Sequence, residues 1–463
     1  MKVLKFGGTS VGTIESLTNV KKIVEGLSEP AIVVVSALGG ITDKLINTGK
    51  LACAANPSFV DECSIIIKRH HDVIYGMIPQ SRQQKVLEIV NPLLDELQTI
   101  YKGVSLIKEL SQRTLDVIVS YGERMSSVIV SNIIDGACHY DSREFIKTEK
   151  WFNKNIADTD LTNNLIHQTF DNMPSKVAVI GGFISTDRDT NEITNLGRGG
   201  SDYTAAIIAA ALDVDVLEIW TDVDGFMTAD PRIIKDAYVI DHLSFIESME
   251  LCNFGAKVIY PPTIYPVFHK NIPIRIRNTF NSETNGTWIT DDQRQNTLPL
   301  KGVTSISDTT LITVKGVNST IKSDINTRLL NSLAKNGVSI LFVAQSVNDD
   351  DISFTVKNVD SDSAQFVLNE EFATEISKSK ITSISSLDNL ATIAIVGDGI
   401  KNINSIEGRI FNTLSRNGIN IISIAHGSSK TNISFVIDIE HLHQAMALIH
   451  ETFFKNQKQT ICK

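Results

Sequence analysis

Two glycine loops carry the side chains best suited to chemistry. The first, Lys5-Phe6-Gly7-Gly8-Thr9-Ser10, follows the apolar run Val3–Phe6 and is expected to open a helix. Glycines let backbone N–H groups approach phosphate oxygens, and a helix N-terminus adds positive potential. Lys5 can reach the same oxygens as a point charge. A tight strand–helix turn with a surface lysine would read the same way, and no Walker-type loop with its Gly-Lys-Ser/Thr ending occurs. The second loop, Gly197-Arg198-Gly199-Gly200-Ser201-Asp202, precedes the alanine-rich segment Tyr203–Leu212, which Ser201 or Asp202 would suit as an N-cap. Arg198 offers a bidentate fork to a carboxylate and Asp202 a partner to an ammonium group; a solvated loop charge and a simple cap are the plain alternatives.

Further segments have the same character. Tyr121-Gly122-Glu123-Arg124 follows the strand-like Asp116–Ser120 and is expected to start a helix, where Glu123 would complement the dipole. Thr221-Asp222-Val223-Asp224-Gly225 and Asp230-Pro231-Arg232 suit turns, or contacts to a ribose and adenine. Gly255-Ala256-Lys257-Val258 adds a second lysine in a glycine context. The ten histidines show no metal-ligand spacing, so no resident metal site is expected.

Strands and helices must hold these loops. Val3–Phe6, Ala31–Ala37, Val177–Ile180 and Val216–Trp220 read as buried strands, each ending at glycine or a turn residue. Helical patterns such as Phe59–Met77 and Gln83–Tyr101 separate them. The alternation predicts a doubly wound α/β sheet, with ligands beyond the strands' carboxyl ends.

The chain has 463 residues, too many for one ordinary core. A net charge of −10 disfavours a nucleic-acid or anionic-membrane surface, though a few local cations still suffice for an anionic substrate. The five cysteines, Cys53, Cys63, Cys138, Cys252 and Cys462, are widely spaced and read as reduced thiols. No apolar run approaches a membrane span and no signal peptide is evident, so a cytoplasmic protein is expected.

Past the polar stretch 281–300 the sequence repeats itself. Arg328–Phe354 aligns without gaps on Arg409–Phe435, 81 residues later, with ten identities in 27 positions; among them are Asn336/Asn417, Gly337/Gly418 and Phe354/Phe435. A fixed offset of this kind marks a duplication. Each copy reads strand (Leu311–Val314 or Thr392–Val396), helix, Asn-Gly turn, strand, strand, the turn suiting a left-handed C-cap.

Together, Lys5–Ser10, Ser36–Thr42, Tyr121–Glu123, Gly197–Asp202, Thr221–Arg232 and Gly255–Val258 resemble, in order and spacing, the aspartate kinases of the amino-acid kinase superfamily, and the repeat is similar to their paired ACT domains. The resemblance runs along nearly the whole chain and is greatest to the kinase half of bifunctional aspartate kinase–homoserine dehydrogenases; the chain stops at Lys463, where a dehydrogenase would begin. It implies a three-layer αβα sandwich over 1–290, followed by two βαββαβ-like ACT modules over 301–380 and 388–457. It implies transfer of the γ-phosphoryl group of ATP, with Mg2+, to the β-carboxylate of L-aspartate, the first step towards threonine, lysine and methionine. Catalytic roles fall to Lys5, Gly8 and Asp202. Thr42, Glu123, Arg198, Gly199 and Ser201 fall to the aspartate site. Lys5, Phe6, Gly7, Gly8, Ser10, Thr221, Asp222, Asp230, Arg232, Lys257 and Val258 fall to the nucleotide. Met227 and Tyr260 depart from residues common in the family, a tyrosine and a histidine. An amino-acid effector is implied, threonine first and lysine second, near Asp324, Ile325, Gln345 and His426, in at least a homodimer. Because His426 stands where the repeat would place a second glutamine, the two modules are expected to be unequal.

Overall fold

The computed structural model describes residues 1–151, 154–291, 299–316, 322–345, 351–402, 406–426 and 431–455. The chain forms two compact units, one of Met1–Phe226 with Val258–Asp291, the other of Met227–Lys257 with Asp292–Lys463.

The first unit is built on parallel strands. Lys2–Phe6 lies between Ala31–Val35 and Val216–Thr221; Val177–Gly181 and Ala137–Tyr140 extend one side, and Ile274–Asn278 extends the other, edged by the antiparallel Thr287–Ile289. The central strands are buried on both faces, which explains their unbroken runs of Val and Ile. One face, through Leu4, Phe6, Val33 and Val35, packs on the helices Ile14–Glu25, Ile41–Cys53, Phe59–Met77, Gln80–Ile107 and Gln112–Ile133. Against the other lies Gly200–Ala211. This is the expected αβα sandwich.

Three local expectations fail. Asp116–Ser120 is not a strand, and Tyr121–Arg124 does not start a helix. Both lie inside the single helix Gln112–Ile133, which Ser111 caps by accepting from the Thr114 N–H. That helix is buried around most of its circumference, so its β-branched residues show no polar face to mark the helical period. Nor does the loop after Phe6 pass directly into a helix. Ile14–Glu25 begins at Thr13, in a capping box with Ser16.

The second unit holds an antiparallel sheet whose two 14-residue strands, Gly302–Lys315 and Ser383–Val396, pair along their length. Ile352–Lys357 and then Ile340–Gln345 follow on one side, Asn432–Asp438 and then Ser423–His426 on the other. Residues 309–315 belong to the first module, and 383–387 provide its closing strand. Residues 390–396 belong to the second module, and its closing position is taken by 302–306, which precede the first module in sequence. The helices Lys322–Lys335 and Asn358–Glu371 cover the first module's core; Ile406–Arg416 and Leu442–Phe453 cover the second's. Gly337 and Gly418 both take the left-handed conformation, with φ 74° and 73°, as the Asn-Gly turns require. No helix among the described residues is long and apolar enough to cross a membrane.

Candidate active site at the carboxyl ends of the parallel strands

The loops leaving the strands are fastened to one another. The Gly7 N–H donates to the Trp220 carbonyl, Ser36 to Phe6, Gly182 to Val35 and Thr279 to Thr221. The backbones also approach closely. A Cβ on Gly39 would lie 2.9 Å from the Gly8 carbonyl oxygen, and one on Gly182 would lie 2.7 Å from Ser201 Cα. Glycine is therefore required where the first loop meets the second strand's loop, and where the third strand's end meets the Ser201 turn.

On this platform Lys5 Nζ lies 2.5 Å from Asp202 Oδ1, with both side chains 12% exposed. Lys5 comes from the end of the first strand and Asp202 from the first turn of Gly200–Ala211. The helix is capped by Gly199 itself, with φ +69° and no side-chain cap bond, so neither Ser201 nor Asp202 serves as the expected N-cap. Asp202 is free to face the lysine. A Cβ on Gly199 would meet Tyr260 Cβ at 2.4 Å, so Tyr260 packs directly against the glycine turn.

Glu123 is 4% exposed in mid-helix, away from the helix end where dipole compensation would act. Its Oε1 accepts from the Ala37 N–H at 3.0 Å, while Oε2 is buried without a hydrogen-bond partner among the described residues. Burial pushes its carboxyl up to about 8, against the opposing effects of the Ala37 amide and the Lys5 charge. A buried carboxylate with one open oxygen is suited to a cationic group.

Thr42 is half-buried in the first turn of Ile41–Cys53. Arg198 is exposed and has no ion pair among the described residues. Ser201 is buried beside Gly182. Two residues assigned to the nucleotide face elsewhere. The Phe6 ring is fully buried and stacks on Trp220 at 5.9 Å, leaving only its backbone towards the loop. The Ser10 hydroxyl is buried and bonded to Thr279 Oγ1 at 2.7 Å and to the Trp220 carbonyl at 3.3 Å, a tie between loops. Thr221 Oγ1 donates to the exposed Asp222, and Val258 is half-buried, all in the first unit. Asp230, Arg232 and Lys257 belong to the second unit, where Asp230 holds Arg232 through Nε at 3.0 and 3.1 Å and Nη2 at 2.6 Å.

Sequence reasoning missed the Lys5–Asp202 pair, the Ala37–Glu123 bond and the Gly199–Tyr260 contact. Each joins residues more than 60 positions apart, and no local pattern marks them. Of the regulatory residues, Asp324 lies 3.5 Å from Arg328, and Ile325 is wholly buried in the first module's core, leaving its backbone alone for a ligand. Gln345 ends the strand Ile340–Gln345, its side chain lying outside the described residues. His426 is exposed, 3.7 Å from Glu407.

A strand-end lysine paired to an acid on a glycine-capped helix, beside glycine loops at strand ends, is suited to an anionic ligand such as a phosphate. Residues 1–278 match the amino acid kinase family and residues 393–453 the ACT domain. The chain belongs to the amino acid kinase family. It is 32% identical, over 99% of its length and 57% of the relative's, to the bifunctional aspartokinase/homoserine dehydrogenase of Buchnera aphidicola. It is 30% identical to the chloroplastic aspartokinase 1 of Arabidopsis thaliana, over 98% of this chain and 80% of that protein. Among solved structures it is similar to E. coli aspartokinase III in complex with aspartate and ADP, with a TM-score of 0.84 and 25% identity, covering 98% of this chain and 100% of that one. The chain thus spans little more than half the length of the bifunctional relative.

Proposed function

We propose that this protein is an aspartate kinase, transferring the γ-phosphoryl group of ATP to the β-carboxylate of L-aspartate. The observation that carries the reading is the Lys5–Asp202 pair at the strand ends, beside the buried, half-satisfied Glu123. A carboxylate nucleophile is already ionised at neutral pH, so the reaction needs no general base. Catalysis reduces to in-line positioning and to stabilising charge on the phosphoryl group. Lys5 and the Gly8 amide supply that charge stabilisation, with Asp202 holding the lysine over the loop. Glu123 takes the substrate's ammonium group and Arg198 its α-carboxylate, so the β-carboxylate is presented to the phosphate.

The described residues contain no group of three or more His, Cys, Asp or Glu side chains that could hold a metal. A magnesium ion that arrives with ATP is held mostly by the phosphates and water, with one or two carboxylates, so it needs no such group, and no step is assigned to it. The regulatory half takes an amino acid of the aspartate family, threonine before lysine, at the Gln345 module, in a cytoplasmic homo-oligomer. The repeated modules and the ACT match support the effector part of this reading.

An ADP-release assay with aspartate, glutamate and no acceptor tests the activity. Aspartate-dependent release is expected; equal release with glutamate would overturn the substrate assignment. Threonine titration of wild type, Gln345→Ala and His426→Ala tests the effector. Gln345→Ala should lose inhibition and His426→Ala should largely keep it; the reverse pattern would move the site to the second module.

A further inference from the structure

We propose that His450 is a positioning residue for the nucleotide, acting through the segment that carries Asp230 and Arg232. The proposal rests on the kinase reading, which gives Asp230, Arg232 and Lys257 to ATP.

That segment is a closed loop. At its tip Asp230 grips Arg232, and its carbonyl accepts the N–H groups of Ile233 and Ile234. At its base the Thr228 N–H donates to the Tyr238 carbonyl at 2.9 Å, and Met227 bridges Val239. The base is fixed to the regulatory fold. The Val303 N–H donates to the Thr228 carbonyl at 2.8 Å. Thr228 Oγ1 accepts the Tyr238 N–H at 3.2 Å and is bonded to His450 Nε2 at 3.0 Å. Thr228 is 1% and His450 4% exposed. Ala229 and Ile234 are buried in the same core as Met446, Ile449 and Phe453 of the His450 helix. Further along, Gly255 has φ +127°, and a Cβ there would lie 2.1 Å from the Ser305 carbonyl oxygen. The turn leading into Lys257 is therefore pressed onto the strand Gly302–Lys315.

The internal repeat isolates what His450 does. Its counterpart 81 residues earlier is Asn369, which is exposed and, among the described residues, donates its side-chain amide only to the Gln365 carbonyl of its own helix. A module of this kind folds without a buried polar residue at that position. In the second module the position is buried and polar, and its ring nitrogen meets the loop base. Removing it leaves the Thr228 hydroxyl without that buried partner and loosens the base, while the residues assigned to aspartate lie in the first unit.

The test is His450→Ala and His450→Gln in the full chain, with steady-state kinetics and calorimetric titration of ATP. The glutamine amide reaches the position of Nε2 and keeps a hydrogen bond to Thr228. His450→Ala should raise the KM and Kd for ATP about five- to tenfold, change the KM for aspartate less than twofold, and be largely restored in His450→Gln. A residue serving stability alone would lower Tm and leave both KM values in place. Unchanged ATP affinity, or an equal rise in both KM values, would overturn the proposal. If His450→Ala does not fold, Thr228→Val against Thr228→Ser makes the same comparison. If wild type shows no aspartate-dependent turnover, the kinase reading falls, while calorimetric ATP affinity still decides the positioning role.

Discussion

The guanidinium of Arg409 lies 4.7 Å from the centre of the Phe453 ring, and 81 residues earlier Arg328 lies 5.0 Å from that of Phe372. The repeat therefore extends beyond the segment where identities are dense. The buried positions Ile312, Ile325, Leu333, Ala364 and Leu368 of the first module correspond to Ile393, Ile406, Leu414, Ala445 and Ile449 of the second. In both copies an arginine of the first helix closes over an aromatic ring at the carboxyl end of the second.

The two arginines differ in their surroundings, and this sets a prediction. Arg328 also bonds Glu371 and Glu375, each at 2.7 Å, and the Glu371 carbonyl at 2.8 Å. Arg409→Ala should cost about 0.5–1 kcal/mol, an exposed cation–π contact. Arg328→Ala should cost more, roughly 1–3 kcal/mol, because charge-assisted bonds are lost as well. Urea unfolding of both variants checks this; equal losses would mean the carboxylates contribute nothing.

Lys5 is predicted to act in the transition state. Lys5→Ala should lower kcat by about two decades or more, the scale of losing one preorganised charge, with Tm little changed. Asp202→Asn should also lower kcat, by less, because Lys5 keeps its charge and loses its anchor. Rapid-quench measurement of phosphoryl transfer decides it, and near wild-type kcat in Lys5→Ala would remove Lys5 from the chemistry.

Arg198 should serve aspartate and not ATP. Its exposed guanidinium is available to a ligand carboxylate, and losing one charge-assisted bidentate pair costs roughly 2–4 kcal/mol. Arg198→Ala should therefore raise the KM for aspartate by about 30-fold or more and leave that for ATP within twofold. A rise confined to ATP would mean the loop serves the nucleotide.

Much of the site was legible because its loops are written in glycine at strand ends, and backbone approach to a phosphate or to another loop leaves no choice of residue. Gly39 and Gly182 belong to this class. Partnership across the fold was not legible. Asp202 looked like a cap because acidic residues near helix starts usually are, and only the left-handed Gly199 releases it to Lys5. Asp116–Ser120 looked like a strand because a helix buried on most sides shows no alternation. The assignment of Met227–Lys257 to the regulatory unit, and of 302–306 to the second module's sheet, depends on which core an apolar residue joins. Hydrophobic pattern says that a residue is buried, not against what.

Glu123 sets substrate affinity and stability against each other. An ordinary glutamate carboxyl titrates near 4.5, whereas in the fold it titrates near 8. The unfolded chain thus releases this proton at lower pH than the folded one. Folding stability from this group is present below about pH 4.5 and is lost progressively as pH rises to 8. Glu123→Gln keeps an acceptor for the Ala37 N–H and removes the ionisation. The Tm advantage of the variant over wild type should be small at pH 5 and grow towards pH 8. Aspartate binding should move the other way, because the ammonium group favours the ionised carboxylate. In wild type the KM for aspartate should fall by up to about tenfold between pH 7 and 9, and in Glu123→Gln it should be higher and nearly flat. Parallel thermal melts and initial rates across that range check both halves. A wild-type KM that is flat with pH would show that Glu123 does not receive the ammonium group, and a Tm difference that shrinks as pH rises would show that its burial is not what shifts it.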